Sequence, residues 1–191
     1  MILYVGRLAP VKFSMDLIKC AEIFIRKRPD TVFVIVGTGP MEEEIVEYAK
    51  NARLYGNILF FKMKTQDELA DMYFSSDVMV FPHAGTVLAE AALSAKPIVA
   101  YDYEWHPEVI GKDERGYLVE FRNYRAMAEK VCYVLDNYNE ALDKAKKARD
   151  FIAKNFDKNV ITSTERSVFE RFFNESVNSP HDAACGSRGV V

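Results

Sequence analysis

Residues 77–100 read DVMVFPHAGTVLAEAALSAKPIVA, and this stretch decides the fold. A short apolar run at 78–81 is followed by a turn, an alanine-rich segment at 87–95 and a second apolar run at 97–100. The two runs have the length of buried strands, and the segment between them has the length of a short helix. A strand, a crossover helix and a second strand place the two strands parallel to each other. The stretch therefore predicts a parallel α/β sheet.

The same alternation of apolar runs and helical segments extends on both sides of this stretch. Further runs of strand length lie at 2–5, 31–36, 58–61 and 117–119. Segments of helical period lie between them at 15–28, 41–54 and 67–74. Because the strands are apolar throughout rather than alternating, we expect helices to cover both faces of the sheet. We predict an α/β fold with a doubly wound, Rossmann-like parallel sheet of six strands in the order 3-2-1-4-5-6.

The remainder of the chain has a helical pattern until near its end. Helices are predicted at 124–135, 139–154 and 159–173. The last stretch, SPHDAACGSRGVV, has neither a period nor enough apolar content to pack. We predict a single domain at 1–174, which includes these C-terminal helices, and a disordered tail at 175–191.

Three side chains stand where helix N-caps are expected: Ser14, Thr65 and Thr86. The side-chain oxygen of an N-cap residue accepts a hydrogen bond from one of the free N–H groups of the first helical turn. We therefore expect helices to begin at these three positions.

Composition and charge exclude several classes of protein. Of the 191 residues, 49% are hydrophobic and 28% are charged, and the formal net charge is -3. The chain lacks the basic excess typical of nucleic-acid-binding proteins, so we expect no nucleic-acid partner. No apolar run approaches the roughly 20 residues that span a bilayer, and no signal sequence is recognisable. Cys20, Cys132 and Cys185 lie far apart, and we expect free thiols in a reducing, cytoplasmic compartment.

The predicted strand order limits the search for a functional site to two loops. In such a sheet the first and fourth strands are neighbours, and ligands bind beyond their carboxyl ends. The loop after the first strand is GRLAPVK at 6–12, and the loop after the fourth strand is PHAGTVLAE at 82–90. Residues from these two loops are therefore expected to meet.

The first loop supplies Gly6 for the turn and two cations, Arg7 and Lys12. A guanidinium group can hold two oxygens of a diphosphate, and an ammonium group adds a mobile point charge. The alternative interpretation is that both cations are solvated surface residues. The spacing of the two residues leaves both interpretations open.

The second loop brings a flexible glycine, Gly85, and a carboxylate, Glu90, to the start of a helix. The free N–H groups at such a helix start can bind an anion. Thr86 and Glu90 share one helix face, and side chains lean toward the helix N-terminus, so the carboxylate is aimed at the crevice. Because a carboxylate repels phosphate, we expect it to bind a neutral donor such as the two hydroxyls of a ribose. The alternative is an acid that stabilises the helix dipole.

Four segments of the chain together resemble a known family. They are ILYVGRLAPVK (2–12), FVIVGTGPMEEEI (33–45), ILFFKMKTQDELADMYFSSDVMVFPH (58–83) and TVLAEAALSAKPIVA (86–100). In this order and spacing they resemble the C-terminal, donor-binding domain of the group 1 (family 4-like) retaining glycosyltransferases of GT-B architecture. The resemblance extends from about residue 1 to about residue 123. It implies an enzyme, a hexosyltransferase or other glycosyltransferase, that takes a nucleotide-diphosphate sugar as substrate and retains the anomeric configuration.

The resemblance also assigns roles to residues of this chain. Arg7 and Lys12 match the pair that holds the donor diphosphate, and Glu90 matches the glutamate that binds the ribose hydroxyls. No cofactor and no metal are expected, because the two cations and a helix terminus can stabilise the charge on the leaving diphosphate. The resemblance implies that the amides of Thr86 and Val87 face the phosphates and that the main chain near Lys64 contacts the base. The predicted donor-binding residues are Gly6, Arg7, Lys12, Lys64, His83, Gly85, Thr86, Val87 and Glu90, with Arg7 and Lys12 as the catalytic pair.

Two positions depart from the family pattern. Pro82 occupies the place where the family carries a first glutamate that contacts the donor sugar, and the loop is shorter. His83 is the nearest polar side chain that could replace this contact, or it is a structural histidine. Phe13 stands where a glycine usually follows the lysine.

The family architecture implies a second half. GT-B enzymes hold the acceptor on an N-terminal domain, and the opening MILYVG is already a strand pattern, which suggests a domain cut from a longer protein. We expect an N-terminal acceptor-binding domain or subunit as a partner, a saccharide or glycolipid as acceptor, and little activity of this chain alone. For the full-length enzyme, peripheral association with the inner face of the membrane stays open.

A different class of function remains as the alternative, a noncatalytic Rossmann-like interaction module that has lost the donor site. A dinucleotide-dependent oxidoreductase fits poorly, because the first strand is followed by GRLAPVK rather than by G-x-G-x-x-G. The sequence GTGP at 37–40 is too short for that fingerprint and is typical of a helix start. Two interpretations of Trp105 and His106 are open. In one, both residues line a sugar pocket. In the other, Trp105 covers the edge of the sheet.

Overall fold

The structure is a computed structural model that describes residues 1–156 and 158–177. The chain divides into two compact units, Met1–Ala153 and Lys154–Val191. The predicted single domain at 1–174 stays a prediction. A helix that begins at Lys158 continues to Val177, three residues into the predicted tail, and residues 178–191 of that tail lie outside the described residues.

The first unit contains a parallel sheet in which the described residues form six strands. The strands are β1 (Ile2–Val5), β2 (Phe33–Val36), β3 (Ile58–Phe61), β4 (Val78–Phe81), β5 (Ile98–Tyr101) and β6 (Tyr117–Val119). Their order is β3-β2-β1-β4-β5-β6, and every neighbouring pair is parallel. The doubly wound, Rossmann-like α/β prediction is therefore confirmed, including the strand order.

Helices follow each of the first five strands and continue after the sixth. They are α1 (Ser14–Lys27), α2 (Glu42–Asn51), α3 (Gln66–Ser75), α4 (Val87–Leu93), α5 (His106–Ile110), α6 (Tyr124–Asp136), α7 (Tyr138–Asn155) and α8 (Lys158–Val177). A short 3₁₀ turn at Pro10–Lys12 precedes α1. No helix within the described part of the chain combines the length and the apolar character that a bilayer span needs.

The core lies between the sheet and the helices that cover it. All residues of β1, β2, β4 and β5 are buried, and α1 packs beside α6. The two edge strands are less buried: β3 leaves Leu59 and Phe61 exposed, and β6 leaves Leu118 half-buried. Cys20 is a buried free thiol and Cys132 a half-buried one, while Cys185 lies outside the described residues.

The helix starts only partly follow the N-cap predictions. Thr65 forms a complete capping box with Glu68 at the start of α3, which confirms that prediction. Thr86 occupies the N-cap position of α4, but its side chain makes no capping hydrogen bond. The prediction for Ser14 is wrong, because Phe13 is the N-cap of α1. The Ser14 hydroxyl instead accepts a bond from the Ala9 N–H at 2.9 Å and donates to the Ala9 carbonyl at 3.1 Å.

Candidate functional site

A cleft of about 480 Å³ opens at the carboxyl ends of the central strands. Five of the predicted site residues line it: Gly6, Arg7, Lys64, Val87 and Glu90. The cleft lies where the strand order reverses, because β1 pairs with both β2 and β4. Ligands of open α/β sheets bind at this point, and the volume is within the usual range of small-molecule pockets.

Close backbone contacts between the loops after β1 and β2 shape one wall of the cleft. A Cβ atom at Gly37 would lie 1.9 Å from the carbonyl oxygen of Gly6, and a Cβ atom at Gly39 would lie 2.2 Å from that of Leu8. The φ of Gly37 is +146°, which also favours glycine. Both glycines line the cleft. The sequence interpretation of GTGP as a helix start missed this role, although two glycines after a buried strand were a signal for it.

Arg7 is an exposed cation in the cleft wall. Its carbonyl accepts a hydrogen bond of 3.2 Å from the Tyr4 hydroxyl, which fixes the backbone just after β1. Within residues 1–156 and 158–177 its guanidinium group forms no ion pair. The positive charge is therefore available to an anionic ligand.

Lys12 does not line the cleft. It is the last residue of the 3₁₀ turn, and the backbone of the following Phe13 is left-handed, with φ 51° and ψ 40°. The structure thus brings Arg7 into the cleft wall and leaves the half-buried Lys12 outside the cleft lining. The binding role of Lys12 stays a prediction.

Lys64 lies in the cleft wall just before α3. Its Nζ atom is 2.7 Å from a carboxylate oxygen of Glu68, so its charge is already paired. The same carboxylate accepts a hydrogen bond from the Thr65 N–H at 2.9 Å. These bonds from Lys64 and Thr65 lower the pKa of Glu68 to about 2. The arrangement fixes the chain near Lys64, where the resemblance implies a main-chain contact with a base.

Glu90 brings a carboxylate to the cleft from the first turns of α4. It is half-buried, and among the described residues it forms no ion pair. Val87, at the start of the same helix, also lines the cleft. The cleft therefore contains an unpaired cation from the β1 loop and an unpaired carboxylate from the β4 loop.

Hydrogen bonds from the segment after β5 fix the loop between β4 and α4. The Nε1 of Trp105 donates to the Ala84 carbonyl at 2.9 Å, and the Ala84 N–H donates to Nε2 of His106 at 3.0 Å. The Nδ1 of His106 lies 2.9 Å from the Tyr101 carbonyl oxygen. Because Nε2 accepts a hydrogen bond, this arrangement fits a neutral imidazole whose proton is on Nδ1. Burial lowers the pKa of His106, which favours that neutral form. Trp105 and His106 do not line the cleft, and sequence reasoning missed their role in holding this loop.

The start of α4 remains open. A Cβ atom at Gly85 would meet nothing within 4 Å, and Gly85 and Thr86 are exposed without lining the cleft. The backbone hydrogen bonds of α4 begin with the amide of Leu88, which donates to the Gly85 carbonyl. The amides of Thr86 and Val87 precede it and take no part in these helix bonds. These amides can face a ligand that extends out of the cleft.

Both ring nitrogens of His83 lie within hydrogen-bonding distance of other groups of the protein. Its Nδ1 lies 2.6 Å from the Val11 carbonyl oxygen, and its Nε2 lies 3.0 Å from a carboxylate oxygen of Glu104. Burial raises the pKa of Glu104, but Tyr103, His83 and the charge of Lys12 outweigh it and lower the pKa overall. Because protein groups hold both ring nitrogens, the geometry favours the structural interpretation of His83. Its role in binding the donor stays a prediction.

The absence of a metal stays a prediction. In the part of the chain that the structure describes, no group of three or more histidine, cysteine, aspartate or glutamate side chains is placed to hold a metal ion. The polar groups in the cleft are instead suited to hydrogen bonding and to charge pairing.

Comparison with known proteins identifies the family. The model of the glycosyl transferases group 1 matches residues 1–151. The chain is 28% identical over 174 residues to poly(ribitol-phosphate) alpha-N-acetylglucosaminyltransferase of Staphylococcus aureus (strain COL), covering 90% of this chain and 34% of that protein.

Two solved structures have the same fold. A mutant of S. aureus TarM, in complex with fondaparinux, alpha-GlcNAc-glycerol and UDP, matches with a TM-score of 0.77 and 25% identity, covering 93% of this chain and 35% of that one. Anabaena HepE in complex with UDP matches with a TM-score of 0.79 and 18% identity, covering 89% and 48%. The chain thus spans about a third to a half of the length of these relatives. With the family match across most of its length, the chain belongs to the glycosyl transferases group 1.

Proposed function

We propose that this chain binds a nucleoside-diphosphate sugar in the cleft and is the donor-binding half of a retaining glycosyltransferase. The observation that carries the proposal is a pair of charges in one cleft, the guanidinium of Arg7 and the carboxylate of Glu90, neither of which forms an ion pair within the described part of the chain. Both lie where the strand order reverses, although they are far apart in sequence.

Each charge suits a different part of such a ligand. The guanidinium of Arg7 can donate two parallel hydrogen bonds to diphosphate oxygens. The amides of Thr86 and Val87 at the open start of α4 can donate to the same group. The carboxylate of Glu90 repels phosphate and accepts hydrogen bonds, so it takes the ribose hydroxyls. The fixed backbone near Lys64 then contacts the edge of the base.

The same residues assist transfer of the sugar. When the bond from sugar to diphosphate breaks, negative charge develops on the leaving diphosphate, and preorganised positive groups stabilise that charge. In this proposal Arg7 takes this role from the cleft wall. Lys12 reaches the diphosphate by turning its flexible side chain from the neighbouring 3₁₀ turn. In this proposal the two cations and the helix start carry the charge, and no metal takes part.

The relatives support this proposal and indicate the first ligand to test. The S. aureus mutant structure contains UDP, and the relative with 28% identity is named as an alpha-N-acetylglucosaminyltransferase. We propose UDP as the first nucleotide to test and a hexose derivative as the sugar. We also propose that a further domain or subunit holds a saccharide or glycolipid acceptor. The chain alone should then bind the donor and transfer little.

Calorimetric titration with UDP, GDP and ADP tests the donor site. We expect the wild-type chain to bind one of these nucleotides preferentially, and the Arg7→Ala, Lys12→Ala double variant to bind it at least about tenfold more weakly, since bonds to charged groups are lost. A Lys146→Ala, Arg149→Ala double variant on α7 removes two exposed cations elsewhere and should leave affinity unchanged.

Two results would contradict the proposal. One is the absence of binding at millimolar concentration for all three nucleotides. The other is equal affinity in the wild type and the Arg7→Ala, Lys12→Ala variant. Either result would favour the alternative, a noncatalytic interaction module that kept the fold without the donor site.

A further inference from the structure

Glu90 lies between two cavities. Besides the main cleft, it lines a smaller cavity of about 210 Å³ between α3 and α4, whose polar side chains come from Gln66, Tyr73, Glu90 and Ser94. The carboxylate is thus accessible to a ligand on one side and to groups of α3 on the other. Its orientation decides which of its oxygens faces the main cleft.

The Tyr73 hydroxyl is the unsatisfied polar group of this smaller cavity. Tyr73 is only 4% exposed, and its ring packs in the hydrophobic core. Within the described residues its hydroxyl makes no hydrogen bond, and it is the buried side-chain atom for which no partner is found. A buried hydroxyl without a partner is costly, and a phenylalanine would fill the same space without that cost. The donor capacity of the hydroxyl is therefore available to an acceptor in the same cavity.

Glu90 is the charged acceptor beside this hydroxyl. Burial first, and then the negative charge of Glu90 and an interaction with its carboxylate that falls short of full hydrogen-bond geometry, raise the pKa of Tyr73. The phenol therefore keeps its proton and remains a donor. The Ser94 hydroxyl in the same cavity already donates to the Ala91 carbonyl at 2.7 Å. Because Glu90 lines both cavities and already interacts with the phenol, a hydrogen bond from Tyr73 requires only a local adjustment of its side chain.

We propose that Tyr73 is a positioning residue, whose hydroxyl donates to the Glu90 carboxylate when a nucleotide is bound and thereby orients it toward the ribose hydroxyls. This inference rests on the proposed function, because it concerns the same carboxylate. It adds a residue on α3 to the ribose-binding end of the cleft. The Tyr73 side chain itself does not touch the nucleotide.

The preference of the protein for a nucleotide with both ribose hydroxyls measures the role of Tyr73. UDP and 2′,3′-dideoxy-UDP, which lacks both ribose hydroxyls, are titrated against the full chain and its Tyr73→Phe variant. We expect the variant to bind UDP at least about tenfold more weakly, as for a lost bond to a charged group, and to bind dideoxy-UDP as the wild type does. The ratio of the two affinities therefore falls in the variant.

A double-mutant cycle and a matched control complete the test. Once Glu90→Gln has removed the charged acceptor, adding Tyr73→Phe should weaken UDP binding less than about twofold, because coupled residues are not additive. The control is Tyr117→Phe on β6, a buried tyrosine whose hydroxyl lies 3.5 Å from a Glu140 carboxylate oxygen. It should leave both affinities unchanged.

Each other outcome has a definite meaning. If the wild type binds no nucleotide, the proposed function and this inference fail together. If the wild type prefers UDP to dideoxy-UDP and Tyr73→Phe keeps that preference, the inference alone is overturned. An equal loss for both ligands would also overturn it, since that result indicates a general structural role. A lower melting temperature of Tyr73→Phe would mean that the hydroxyl is already bonded in the free protein, which contradicts the inference as well.

Discussion

Phe13 adopts a left-handed backbone conformation, with φ 51° and ψ 40°, between the 3₁₀ turn and α1. For a residue other than glycine this conformation costs roughly 1–2 kcal/mol. Packing of the ring offsets this cost, because its centroid lies 5.5 Å from that of Tyr103 and 5.2 Å from that of Phe121. The position that usually holds a glycine in the family has here become part of an aromatic cluster beside His83.

The strain at Phe13 predicts an unusual order of stability. Phe13→Ala and Phe13→Gly both lose the aromatic contacts, but alanine keeps the left-handed strain while glycine does not. We expect Phe13→Ala to be less stable than Phe13→Gly by about 0.5–1 kcal/mol. Relief of the backbone strain favours glycine, and the larger conformational entropy of glycine in the unfolded chain offsets part of that gain. Urea unfolding of the two variants measures the difference.

A control at a right-handed position should show the opposite order. Lys147 is exposed on α7, where glycine is less favourable than alanine by about 1 kcal/mol. Lys147→Gly should therefore be less stable than Lys147→Ala. If alanine proves more stable than glycine at position 13 too, the account of Phe13 is wrong.

Sequence reasoning found some site residues and missed others for a physical reason. Arg7 and Glu90 follow strands whose order can be predicted, so their meeting in one cleft follows from topology. The hold of His106 on Ala84 and the contact of Gly37 with Gly6 depend on the three-dimensional course of loops. The glycines at 37 and 39 indicate a close backbone approach, but no local pattern specifies which distant segment is approached.

At the level of elements, continuous apolar runs gave the most accurate predictions. Ile2–Val5, Ile58–Phe61 and Val78–Phe81 have the predicted bounds, because each is a short continuous apolar run that ends at a glycine, a charged residue or a proline. Helix α5 (His106–Ile110) was missed, because its five residues are too few to establish a helical period. Its position depends instead on the bonds of Trp105 and His106 to the β4 loop.

Two threonines at helix starts should differ in their effect on stability. Thr65→Ala removes the capping box of α3 and should lower the free energy of unfolding by about 1 kcal/mol. Thr86→Ala is the matched comparison, because Thr86 also occupies an N-cap position but makes no side-chain capping bond. It should change stability by less than about 0.5 kcal/mol. Equal losses in urea unfolding of the two variants would contradict this account of the helix starts.

On the scale of the whole molecule, the strand order creates the site. Because β1 and β4 are neighbours, the loops that follow them meet at the carboxyl ends of the strands. Each of these loops contributes a charge to the cleft. The family membership was predictable from four segments in register, and the match over residues 1–151 agrees with it. The acceptor could not be predicted in the same way, because none of the four segments carries a signal that identifies it.

A crystal structure of the 191-residue chain with UDP tests the central claim most directly. The account predicts UDP in the cleft at the carboxyl ends of β1 and β4. Diphosphate oxygens should lie within hydrogen-bonding distance of the Arg7 guanidinium, and the ribose hydroxyls should donate to the Glu90 carboxylate. UDP bound elsewhere, or bound in the cleft with its ribose away from Glu90, would contradict the account.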